Sequence, residues 1–202
     1  MGVTAGAEDP QRSELARTIG ARERILDAAY ELFSRHGIHA VGIDRIIAEA
    51  EVAKATLYNH FPSKEALVVA FLQLREERWT HGWLENAVER LAATPQDRAL
   101  AIFDAFDEWF RLSDFEGCAF INTLLEISDT ESAVHIAAVR HLAVLRGIFE
   151  GYAEQAGVSD PQETAYQLQI LAMGAIVSAG RGDLAAARRA RPLAAALLAN
   201  SR

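Results

Sequence analysis

The stretch Ile43-Asp-Arg-Ile-Ile-Ala-Glu-Ala-Glu-Val-Ala-Lys-Ala-Thr-Leu-Tyr-Asn-His-Phe-Pro-Ser-Lys64 holds two short amphipathic segments joined by a tight turn and closed by a proline. In the first, Ile43, Ile46, Ile47 and Ala50 fall at i, i+3, i+4 and i+7, which is one face of a helix. In the second, Leu57 and Phe61 are the large apolar residues, placed behind Val52, so a helix here buries two side chains. Lys54, Thr56, Tyr58, Asn59 and His60 then face outward, with the small Ala55 among them. A helix that hides so little and presents so many hydrogen-bonding groups suits insertion into a polar groove. Lys54 and Lys64, the two lysines of the chain, flank it. The pattern is that expected of a helix-turn-helix that reads DNA.

Working outward, Ile25, Ala28, Ala29, Leu32 and Phe33 keep helical spacing from Arg22 until Gly37, where a left-handed C-cap is expected. Gly42 takes the N-cap position of the second helix. Pro62 stops the third, and Ser63 caps a long fourth helix reaching about Ala92, with Gly82 between Trp79 and Trp83 as its weak point. Pro95 opens a fifth helix with Ile102, Phe103, Phe106 and Phe110 on one face and Asp104, Asp107, Glu108 and Arg111 on the other. The segment Cys118 to Ile127 is nearly all apolar and is expected to be wrapped by other helices. A seventh helix spans about Glu131 to Ala156. An eighth, capped by Asp160-Pro161, runs to Gly180, and a ninth, rich in alanine, covers Asp183 to Ala199 and contains Pro192. No strand pattern occurs, so the fold class is all-α: an N-terminal three-helix DNA-binding module plus a C-terminal helical body, about nine helices in all. The expected divisions are a mobile arm at 1–16, the DNA-binding domain at 17–67, and a domain for dimerisation and effector binding at 68–202.

The 202 residues are half hydrophobic, ample for a core, and carry a net charge of -8. That balance argues against a protein that coats nucleic acid through a broad basic surface. The acidity is uneven. Residues 1–64 hold eight Lys or Arg against nine Asp or Glu, whereas residues 65–202 hold twelve against nineteen. An acidic body repels phosphates and leaves the small module as the DNA-contacting face, an effect that salt screens. No apolar run approaches the roughly 18 residues of a membrane helix, and the first ten residues do not form a signal peptide, so a cytoplasmic location is expected. The single cysteine, Cys118, excludes an intrachain disulfide and a thiolate metal cluster.

The run Arg22 to Gly37, then Ile43 to Ala50, then Leu57 to Leu67 closely resembles the DNA-binding module of the tetracycline-repressor (TetR) family of transcriptional regulators. Across a span of nearly fifty positions these runs keep the family's order and spacing. The body shares helical layout and length with that family, and Gly117-Cys-Ala-Phe-Ile-Asn122 resembles one of its subgroups. The resemblance implies a homodimer through the eighth and ninth helices, about 160–180 and 183–199, and a buried pocket for a small-molecule effector that alters the spacing of the two modules. It implies a DNA-contacting helix made of Lys54, Ala55, Thr56, Tyr58, Asn59 and His60, with Lys64 on a phosphate. Two-fold symmetry implies a near-palindromic operator on double-stranded DNA, with half-sites roughly 34 to 36 Å apart. A repressor is the expected sense of regulation. The chain departs from the family pattern at Gly42, Glu51, Ala53 and Ala55. Glu51 stands where glycine is common, so a turn with positive φ costs on the order of 1 kcal/mol there.

On helix 3, Lys54 and Asn59 suit base edges as donors, Thr56 and Tyr58 bases or phosphates, and His60 and Lys64 phosphates, with Arg17 and Arg22 as further phosphate candidates. For the effector, the aromatic candidates are Trp79, Trp83, Phe106, Trp109, Phe110, Phe120 and Tyr152, and the polar ones Asn122, Glu126 and His141. No cofactor, metal site or catalytic constellation is expected. The Asp104, Asp107 and Glu108 cluster suggests a magnesium-dependent helical enzyme only against the simpler reading of a solvated face, and the histidines lack metal spacing. The rival functions are an all-α enzyme and a helical module that contacts protein instead of DNA.

Overall fold

The computed structural model describes residues 20–201, among which the chain forms nine helices, counting the unbroken run from Lys64 to Leu91 as one, and no strand. The expected arm at 1–16, and Arg17, lie outside the described residues. The chain divides into two compact units, the first ending at Phe71 and the second beginning at Leu72.

In the first unit α1 spans Ala21–His36, α2 Ile43–Ala50 and α3 Lys54–His60, and α4 begins as Lys64–Arg75. Its core is Ile25, Ala29, Phe33, Val41, Ile46, Leu57, Phe61, Leu67 and Phe71, all buried. Ile43 and Ile47, expected inside, are only half-buried. Phe71 receives the ring edges of Tyr30 and Phe33 at 5.7 and 5.5 Å. Arg24 donates from Nε to the carbonyl of Ala50 at 3.2 Å, satisfying an end carbonyl of α2, and the Arg22 guanidinium lies 5.2 Å over the Phe61 ring. Ser63 Oγ accepts from the amide of Ala66, the cap its position at the head of α4 foretells. Gly37 has φ of 79° but ψ of 166°, so α1 ends in an extended glycine conformation and not the expected left-handed cap.

The turn between α2 and α3 is left-handed at Glu51, with φ 52° and ψ 51°. Val52 donates back to Ile47 and Glu51 to Ala48, the double closure of a Schellman end in which glycine is the usual residue. Glu51 is exposed and gains no tertiary packing for this conformation. Glu51→Gly is therefore expected to raise the unfolding free energy by roughly 0.5 to 1 kcal/mol, the relief of Cβ strain less the greater chain entropy of glycine, in urea unfolding followed by circular dichroism.

In the second unit α4 continues through a π-helical stretch, Glu76–Leu84, and finishes as Glu85–Leu91. The weakness expected at Gly82 takes this form. The wide turn brings the carbonyl of Glu77 within 3.1 Å of where a Cβ at Gly82 would sit, a tight contact that glycine avoids. Pro95 opens a single 3₁₀ turn, Pro95–Asp97, capped by Thr94, and α5 proper is Arg98–Trp109. α6 spans Ala119–Glu126, α7 Ala133–Gln155, α8 Pro161–Gly180 and α9 Ala186–Asn200. α7 packs on α8, α8 on α9, α9 on α5, α6 on α7, and the Glu85–Leu91 segment on α5.

Two expectations need correction. The Cys118 to Ile127 segment is not wrapped on all sides: Leu125 is 81% exposed and Asn122 is exposed, because the first two turns of α6 bury only Phe120, Ile121 and Thr123 on one face. The acidic face of α5 is not merely solvated either. Asp104 pairs with Arg191 at 2.8 Å, Asp107 with Arg111 and Arg188 at 3.1 and 3.3 Å, and Glu108 with Arg90. Arginines of α9 thus line up against the carboxylates of α5. Each pair is half exposed and contributes little singly. Among the described residues no group of His, Cys, Asp and Glu is arranged to hold a metal ion, and no helix is long and apolar enough to cross a membrane.

Candidate functional site

α3 is seven residues long, too short to hold its shape alone, and it has no side-chain N-cap at Ala53. Its geometry is set by packing. Leu57 is wholly buried and Phe61, just past its end, is 3% exposed. That anchoring turns Lys54, Ala55, Tyr58, Asn59 and His60 to the exterior, with Thr56 half-buried at the flank. Tyr58 is 42% exposed although aromatic. The Lys54 ammonium lies 3.3 Å from Asp44 of α2, an exposed pair that is easily exchanged for another anion. The Lys64 ammonium, half-buried, donates to the carbonyl of Ile38 at 2.6 Å, which fixes the start of α4 against the α1–α2 connection. Arg45, at 2.9 Å from the His36 ring, adds a further cation to this unit that spacing did not single out.

The second unit gathers most of the aromatic candidates into one network. Trp79 is 4.6 Å from Trp109, 5.6 Å from Trp83 and 6.2 Å from Phe106, and Phe106 is stacked on Phe110 at 5.9 Å. Phe115, a loop residue with no helical period to mark it, closes the far side against Trp109 and Phe110. Phe106, Trp109 and Phe110 are buried, whereas Trp79 and Trp83 are only partly covered and form the rim.

Phe120 and His141 belong to a separate stack, ring on ring and nearly parallel. His141 Nδ1 lies 2.9 Å from Glu76 Oε2. A carboxylate only accepts, so the proton is on Nδ1. Nothing in the local pattern distinguishes Glu76, one of many acidic residues on helix surfaces. Asn122 stands outside both groups, exposed and donating to the carbonyl of Glu116. Glu126 is half-buried, and Tyr152 is buried apart from the rings, its hydroxyl pKa raised by burial and by the nearby Glu85 and Glu89. Burial likewise pushes the Cys118 thiol up, away from reactive thiolate.

Burial lowers the His141 pKa below the ordinary histidine range, and the Glu76 hydrogen bond and charge only partly restore it. The folded protein therefore favours neutral His141, while the unfolded chain takes up a proton near pH 6.5. The stabilisation is complete above that pH and is lost as pH falls from about 6.5 towards the lowered folded value. Thermal midpoints should fall between pH 7.5 and 5, and His141→Gln should flatten this part of the profile.

A buried three-helix core presenting an exposed third helix defines the class as a helix-turn-helix protein with a helical second unit. Residues 25–71 match the profile of the bacterial regulatory proteins of the tetR family. The HTH-type transcriptional regulator UidR of Escherichia coli is 44% identical over 57 residues, which is 28% of this chain and 29% of UidR, so the chain spans less than a third of that relative. The HTH-type transcriptional repressor NemR of Escherichia coli is 27% identical over 155 residues, covering 74% of this chain and 77% of NemR. A crystal structure of a tetR transcriptional regulator from Streptomyces avermitilis is 30% identical, covers 91% of this chain and 98% of that chain, and superposes with a TM-score of 0.80. The chain belongs to the tetR family of bacterial regulatory proteins.

Proposed function

We propose that this protein is a homodimeric DNA-binding transcriptional regulator, acting as a repressor, whose operator affinity changes when a small molecule binds among the helices of residues 68–202. The observation that carries the DNA reading is α3: one leucine sunk in the core and a polar, lysine-flanked face left outside. Lys54 and Asn59 serve as donors to base edges, Thr56 and Tyr58 contact bases or phosphates, Ala55 allows close approach, and His60 and Lys64 meet phosphates. The repressor sense is supported by the name of NemR. The regulator acts in the cytoplasm, where its DNA lies. Selecting bound duplexes from random DNA with the purified chain tests the reading. A near-palindromic consensus whose affinity falls steeply with log salt supports it; salt-independent binding or no enrichment rejects it.

Dimerisation through α8 and α9 is supported by apolar side chains that this chain leaves in water: Ile170 at 70% and Val177 at 49% exposed on α8, and Leu193 at 59% on α9. Ile170→Asp with Leu193→Asp should convert a sedimenting dimer to a monomer at micromolar concentration. A ligand shifts operator binding only through unequal affinity for the two states of that dimer.

A further inference from the structure

The π-helical stretch of α4 holds two buried polar atoms that the fold leaves without a partner, Trp79 Nε1 and Thr80 Oγ1, and Thr80 is 0% exposed. Such orphaned groups are uncommon and costly, and π-helical turns concentrate at functional sites. The same stretch carries chemically different groups. Trp79 and Trp83 form the half-covered rim of the aromatic network. Within a turn or so along the helix, Glu76 is already hydrogen-bonded to His141, and Glu85 lies 2.8 Å from His81.

These groups define the complement. An indole N–H can only donate and a threonine hydroxyl can donate, so the missing partner must offer an acceptor. An anion would meet Glu76 and Glu85. A cation would have to compete with imidazoles for carboxylates that are already occupied. We propose, resting on the effector reading above, that this stretch recognises an uncharged, planar aromatic compound bearing an acceptor oxygen, stacked against the Trp79 and Trp83 rim, with its oxygen held by Trp79 Nε1–H and Thr80 Oγ–H. The same polar atoms that are unsatisfied in the free protein become the source of selectivity, because an analogue without the oxygen leaves them unsatisfied still.

Calorimetry on the full-length protein without DNA tests this with 9-fluorenone, its oxygen-free analogue fluorene, and the N-methylacridinium cation. Fluorenone is expected to bind roughly tenfold or more tightly than fluorene. Trp79→Phe and Thr80→Val should each reduce that ratio severalfold, and Thr80→Val, which leaves both tryptophans of the rim in place, should keep fluorene affinity within about twofold. Equal binding of fluorenone and fluorene, binding of neither, tighter binding of the cation, or a ratio unchanged in both variants overturns the proposal. Because no operator is involved, these outcomes are separate from the effector reading. A different class of compound that shifts operator affinity would keep that reading while removing this one.

Discussion

Tyr58→Ala combined with Lys64→Ala is expected to lower operator affinity by roughly 100-fold or more, enough to remove the shifted band in an electrophoretic assay. Tyr58 carries a hydroxyl and an exposed ring on the outer face of α3, and Lys64 is a cation at the head of α4. Direct contacts of this kind are worth about 1 to 3 kcal/mol each, and removing a phosphate-binding cation also reduces the salt slope by about one. Since Lys64 also donates to the Ile38 carbonyl, Lys64→Ala alone has a structural component. Tyr58→Ala has none of that kind, and should leave the thermal midpoint nearly unchanged while weakening binding. A double variant that retains wild-type affinity with an intact helical signal would show that α3 does not meet DNA through this face.

The second large effect concerns folding. Leu57 is the one side chain of α3 that is wholly buried, so Leu57→Ala removes the anchor that orients the helix and leaves a cavity. The cost is about 2 to 5 kcal/mol, comparable with the whole stability of a unit this small. Amide exchange in residues 20–71 should accelerate to near the unfolded rate, while α7 and α8, in the other unit, retain protection. Leu57→Met, close in volume, should keep both exchange protection and DNA binding. Equal protection in Leu57→Ala would mean that α3 is held by something other than its core contact.

The helix-turn-helix was legible because its determinants are local. Helical spacing of Ile46 and Ala50, the Leu57 and Phe61 pair, Pro62 and the Ser63 cap all lie within some twenty residues; the structure buries the four apolar side chains, bonds the Ser63 cap and ends α3 before Pro62. Glu51 was also readable, since the turn geometry demanded positive φ whatever residue stood there. Other features depended on residues far apart in the chain. Nothing in the spacing of Asp104 and Asp107 says that Arg188 and Arg191 will face them. Asn122 was promising as a polar residue in an apolar run, yet one helical face of α6 is uncovered and Asn122 lies on it.

The second unit shows the division most clearly. Trp79, Trp83, Phe106, Trp109 and Phe110 could be picked out as aromatic residues on amphipathic helices, and they do form one network. Glu76, Thr80 and Phe115 could not, because an acid, a threonine and a loop phenylalanine have no distinguishing period. The π-helical register of Glu76–Leu84 was invisible for the same reason: α and π turns use the same residues, and this stretch meets α5 and α7 through Trp79 and Glu76, contacts that no local pattern foretells.

From sequence alone came the all-helical class, the position of the turn, and the outward face of α3, since helical periodicity and capping act between residues three or four apart. Tertiary structure alone decided which carboxylates found arginines, which histidine was buried beside a glutamate, and which donors were left without acceptors. Those outcomes depend on contacts across tens of residues, where burial and hydrogen-bond satisfaction are settled by the packing of whole helices and not by any local pattern.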